Sequence, residues 1–187
     1  MAVDLPNLRE RLAAAFPETL SSAVLKQCDE LTLAALDAVR QAAAALPHPT
    51  QDWGVVASVR IPGRRRMAET LTRFRERGAW GVTPHFIPHC LLHSAPGLIA
   101  QALGLHGPSA GVGGTVHTED DVLRAAAGWL AGGDLPGAWL VWAGWSCETL
   151  ATDLAKAEAM AAAIVWVQGG PTDADVMETI RRMAREA

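Results

Sequence analysis

From about Glu18 to Leu46 apolar residues recur every three or four positions (Leu20, Val24, Leu25, Cys28, Leu31, Ala35, Ala38, Val39), which predicts one long amphipathic helix ended by Pro47 and Pro49. The pattern then changes. Trp53 to Val59 is short, apolar and rich in valine, the signature of a buried strand, and Pro62-Gly63 separates it from a helix expected over about Met67 to Arg77. Pro84 and Pro88 hold Thr83 to Ile87 extended. A helical pattern resumes over Leu91 to Leu103 and closes at Gly104. A short glycine-rich strand, Ala110 to Gly114, leads to a helix opening at Thr118, where Asp121 three residues on resembles a capping box. Ala138 to Ala143 and Ala163 to Gln168 read as further buried strands, and a last helix is expected from about Thr172. Helices alternating with nearly continuous apolar strands predict an α/β protein whose sheet is covered on both faces.

Composition narrows this picture. The 187 residues are 50% hydrophobic and 19% charged, with a net charge of −4, which excludes disordered, collagen-like and coiled-coil classes. One domain is expected over 1–187, with 1–19 as an N-terminal extension and 169–187 as the C-terminal helix; a chain of this size buries roughly 70% of its unfolded surface. The three cysteines form no CxxC pair, so no disulfide framework is expected and the reducing cytoplasm is the simplest compartment. No apolar run reaches the roughly 18 residues of a membrane span, and no signal peptide is recognisable. Between Arg60 and Arg77 lie seven Arg and two Glu, a local +5 that leaves −9 for the other residues. The chain is acidic with one basic patch.

The segment TPHFIPHCLLHSAPGLIAQALGLHGPSAGVGGTV, followed by LRAAAGWLAGGD and AWLVWAGW, resembles the N-terminal half of a β-ketoacyl-acyl-carrier-protein synthase, a thiolase-fold condensing enzyme. The resemblance covers about Leu20 to Gln168 and rests on the order and spacing of its pieces. It implies half of a thiolase-like fold, with a mixed sheet of four or five strands. The family's first strand has only Met1 to Pro6 as a candidate, which carries Asp4 and Pro6. The resemblance also implies an acyl cleft at Phe86, Gly113, Gly114, Thr115, Val116 and His117.

The family's chemistry is missing from that cleft. Counted from Gly107-Pro108-Ser109, its nucleophilic cysteine falls on Val116, whose aliphatic side chain cannot attack a thioester. The following helix opens with Glu119, Asp120 and Asp121, which suit its own dipole but would repel a thiolate. The residues after Gln168 are too few for the family's C-terminal half. The expectation is a catalytically inactive accessory or acyl-binding subunit of fatty acid or polyketide metabolism. The alternative is a small enzyme that reuses the cleft for other thioester chemistry through His117 or Cys147. No serine or cysteine adjoins His117, so it reads as the residue before a helix cap, and Cys147 reads as a small buried residue.

Partners follow from two surfaces. Between Asp121 and Gly132 only Arg124 is charged, so a helix apolar nearly all round is expected to be buried all round, which requires a homodimer or a ketosynthase-like partner. Arg60, Arg64, Arg65, Arg66 and Arg73 form a candidate docking patch for the acidic acyl carrier protein that the resemblance implies, against the plainer reading of a solvated helix face. No nucleic-acid motif accompanies the cluster, and neither nucleic acid nor membrane is expected as partner. His85, His89 and His93, with Cys90, sit four apart, but Pro84 and Pro88 keep His85 off the face the others share. They read as interface or pocket-lining residues, with no metal or cofactor expected. Trp139 and Trp142 fall on opposite faces of one strand and read as packing.

Overall fold

The computed structural model describes residues 5–46, 51–60, 62–82, 87–88, 90–113, 118–131, 135–146 and 158–167. Its centre is strand β1 (Gly54–Val59), six residues all buried, as expected for an apolar run with both faces covered. Strands β2 (Ser109–Val112) and β3 (Gly137–Trp145) flank β1 in parallel, with Val56 opposite Ala110 on one side and Leu140 on the other. Strand β4 (Ala159–Val167) pairs antiparallel with β3 and completes a mixed sheet of order β2-β1-β3-β4.

Alternation along these strands makes two cores. On one face Val55, Ala57 and Val59 of β1, with Trp139, Val141 and Ala143 of β3, share a core with helices α3 (Glu30–Ala43) and α5 (Ser94–Leu103), and α1 (Leu5–Ala15) joins it by packing on α3. Trp139 is fully buried and lies 6.3 Å from the Trp53 ring. Its indole N–H has no partner. Burying an aromatic surface of about 200 Å² at about 25 cal/mol per Å² contributes about 5 kcal/mol, more than the about 1–3 kcal/mol lost at one unpaired donor. On the other face Val56, Ala138 and Leu140 meet Val122, Leu123 and Ala126 of helix α6 (Thr118–Ala131).

Several expectations are corrected. The single helix over Glu18 to Leu46 is two, α2 (Ser22–Gln27) and α3. Cys28 is extended at φ −67° and ψ 145°, and Asp29 turns its carboxylate back onto the Thr32 N–H at 2.6 Å, starting a new helix. The apolar period runs through the break because both helices lay apolar residues on one core. Met1 to Pro6 supplies no strand within the described residues: Leu5 opens α1, which tolerates Pro6 in its first turn, where the missing N–H has no intrahelical partner. Leu8 and Leu12 of α1 are core residues. Helix α4 (Arg64–Arg77) starts three residues earlier than expected, and α5 starts later, at Ser94. The extended segment lies outside the described residues except for Ile87, as does the helix from Thr172.

Helix α6 is not buried on every side. Val122, Leu123 and Ala126 are buried, whereas Arg124, Ala127 and Gly128 face out, and these outward positions are small or charged and need no cover. Among the described residues the large uncovered apolar side chains lie elsewhere: Met67, Leu71 and Phe74 on α4, Trp80 just beyond it, Ile87, Leu91 and Leu92 ahead of α5, and Met160 and Val167 on β4. Among the described residues no helix is long and apolar enough to cross a membrane.

Candidate functional site

The three parallel strands end together at Val59, Val112 and Trp145, and the chain segments that follow them define one edge of the sheet. At this edge of open α/β sheets, loops and helix starts converge and ligands bind. Of the expected acyl-cleft residues only Gly113 is described; Phe86, Gly114, Thr115, Val116 and His117 lie outside the described residues, as does Cys147. Gly113 packs on Leu92: a Cβ there would stand 2.8 Å from Leu92 Cδ2. Gly111 in β2 is under the Leu92 carbonyl, a backbone approach only glycine permits. Glu119, Asp120 and Asp121 occupy the first turn of α6, half-buried.

The described residues build a second, better-defined place at the same edge. After β1 the chain turns through Gly63, at φ 69°, into α4. Asp29 ties this turn to α3, one carboxylate oxygen accepting the Thr32 N–H and the other the Gly63 N–H at 2.8 Å. Arg65 donates to Glu30 at 2.6 Å while its guanidinium lies 5.0 Å from the centroid of the Trp145 ring. Arg66 donates to the carbonyls of Lys26 and Cys28, and Arg9 to that of Leu25, so two cations sit on the exposed carbonyls at the end of α2. Between these groups lies a cavity of about 380 Å³, with Arg64 and Arg73 also on its wall.

Burial sets the electrostatics here. It raises the Glu30 carboxyl above its ordinary value, partly offset by Arg65, and the second carboxylate oxygen of Glu30 has no partner. Burial, reinforced by Asp29, pushes the Cys28 thiol up to about 11, and burial also raises Cys90. Both thiols are protonated near neutrality and poor nucleophiles.

Of the five arginines expected to form a docking patch, the structure turns Arg65 and Arg66 toward the chain's own groups and leaves Arg73 exposed on α4. Arg60 follows β1, where its N–H donates to the Ala143 carbonyl, and Arg64 opens α4. His93 is exposed just before α5, while His85 and His89 lie outside the described residues. Among the described residues no three metal-ligating side chains converge. The role of Asp29 was missed by the sequence reading, although an Asp just before an apolar periodic run is a helix-start signal. The Arg65–Trp145 stack had no signal, since its partners meet only through the fold.

No family model and no curated protein matches the sequence. Solved structures do match. The chain is similar to the ishigamide ketosynthase/chain length factor over 84% of its own length and 48% of that chain, with a TM-score of 0.62 at 19% identity. It is similar to a ketosynthase from Xenorhabdus doucetiae, solved in complex with its chain length factor, over 90% of this chain and 74% of that one, with a TM-score of 0.56 at 13% identity. A type II polyketide synthase acyl-carrier protein in complex with its ketosynthase, bound to the hexaketide, matches over 81% of this chain and 47% of that one, with a TM-score of 0.50 at 12% identity. The fold is the thiolase-like α/β fold of ketosynthases and chain length factors, as the resemblance implied. The chain spans about half the length of the ishigamide protein.

Proposed function

We propose that this chain is a ketosynthase-like accessory subunit of polyketide or related acyl-chain assembly, without a nucleophile of its own, that acts bound to a ketosynthase-like partner or to a second copy. The observation that carries this reading is its likeness to ketosynthase/chain length factor structures over most of its length. Val116, standing where the family resemblance puts the reactive cysteine, supports the absence of acyl transfer. The exposed apolar stripe of α4 supports a partner: Met67, Leu71 and Phe74 are 43–52% exposed, and Trp80 is 99% exposed. This replaces the outer side of α6 as the surface expected to be covered. An acidic carrier protein would meet Arg60, Arg64 and Arg73, with Arg65 and Arg66 contributing charge from behind.

The test is purification from the native host followed by size-exclusion chromatography with light scattering. The expected result is a dimer or a complex with a ketosynthase-like protein, and no acyl adduct by mass spectrometry after incubation with acyl thioesters. A stable, partnerless monomer at micromolar concentration, or an acylated chain, would overturn the reading. Arg64→Glu with Arg73→Glu is expected to weaken carrier-protein binding by about tenfold or more. Unchanged binding removes the docking patch.

A further inference from the structure

We propose that the segment from Thr172 to Ala187, which lies outside the described residues, folds back as an amphipathic helix onto the open half of the α6 face, packing on β4 beside α6. Helices pack about 8–10 Å apart and strands about 4.8 Å, so one helix covers about two strands and a four-stranded face takes two helices. The opposite face follows this rule: α5 lies on β1 and β2, and α3 on β3 and β4. The α6 face has one described helix, laid chiefly on β1 and β3. Beside it, Met160, Ala162 and Ile164 of β4 pair with Gly144, Trp142 and Leu140 of β3 and so share their side of the sheet. Leu140 is buried under α6, whereas Trp142, Ala162 and Ile164 are half-buried and Met160 is 53% exposed. With Trp129 of α6 they leave an apolar trough about one helix wide.

Pattern, length, direction and charge select this occupant. After β4 comes Gln168-Gly169-Gly170-Pro171, a chain-reversing composition, and then Thr172 with Asp175 at the spacing of a capping box. Val176, Ile180, Met183 and Ala187 recur at helical spacing, and the charged residues from Asp175 onward fall on the other sides. Sixteen helical residues span about 24 Å, and the strand from Met160 to Val167 about 23 Å, so the returning helix runs the length of the trough. It also runs antiparallel to α6, because α6 joins the parallel strands β2 and β3, while β4 is antiparallel to β3. That direction brings Arg181, Arg182 and Arg185 toward Glu119, Asp120 and Asp121 in the first turn of α6, opposite charges at opposed helix ends. The inference does not rest on the partner reading: it closes this face with the chain's own residues and leaves α4 as the surface for a partner.

Methionine oxidation by hydrogen peroxide in the full chain, read residue by residue by mass spectrometry, tests it. Met160 and Met183 are expected to oxidise about tenfold or more slowly in the native chain than in the same chain unfolded in urea, since oxidation follows exposure. Ile180→Asp, which sets a carboxylate against the trough, should bring Met160 to within about twofold of its unfolded rate. Glu178→Gln, on the outer side of the same helix, should leave Met160 protected. The native chain is decisive without any variant: oxidation of Met160 there at close to its unfolded rate overturns the inference. Protection of Met160 that survives Ile180→Asp also overturns it, because a second copy or a partner would then be the cover. So does an equal loss of protection in Glu178→Gln, which would show that the apolar side of the segment is not what seats it.

Discussion

Asp29 holds two helix starts with one carboxylate, and both of its acceptor bonds go to backbone N–H groups. Replacing it by Ala removes a helix cap and leaves the Gly63 N–H without its carboxylate, so Asp29→Ala should lower stability by about 2–4 kcal/mol in urea unfolding. Its neighbour Cys28 makes a pH prediction. The folded thiol ionises near 11 rather than 9.0, so its contribution to stability is complete below pH 9 and is lost as pH rises toward 11. Native protein at pH 8 should leave Cys28 unlabelled by a disulfide reagent, and unfolding in denaturant should expose it; fast native labelling at Cys28 would contradict its burial. At this scale the sequence was a partial guide. The arginine run was plain, but not which arginines turn inward: Arg65 and Arg66 find partners 35 and 38 residues away.

Elements differ in how firmly they belong to the core. Leu36 of α3 is fully buried, so Leu36→Ala should destabilise by about 2–5 kcal/mol. Helix α4 has no buried residue, so Leu71→Asp should change the stability of the isolated chain by no more than about 0.5 kcal/mol. The same change should disrupt the proposed complex on a sizing column. A large loss of melting temperature in Leu71→Asp would mean that the stripe is already covered. The strands were legible because buried strands read as unbroken apolar runs, as in VVASV and AWLVWA. Helix α1 was not, because Pro6 and the short LPNLRERLAAA pattern looked like an extension rather than the first turn of a helix. The break at Cys28–Asp29 was hidden by a periodicity that both flanking helices continue.

Across the whole molecule the two faces of the sheet are covered unequally. One receives α3 and α5, with α1 laid over α3, and the other α6, which packs on β1, β2 and β3. Trp142 and Ile164 are therefore only partly buried beside α6, and Met160 is exposed. The class of fold was legible from the order of motifs. The cavity was not, because its walls come from segments far apart in sequence, from Arg9 through Asp29 and Gly63 to Trp145.

Helix α4 is fastened at its beginning, where Gly63, Arg65 and Arg66 engage Asp29, Glu30 and the end of α2. Farther along, none of its residues is buried, and the stripe ending at Phe74 and Trp80 lies open. Such an element behaves as a lever pinned at one end: its distal turns can fray and re-form without disturbing the sheet.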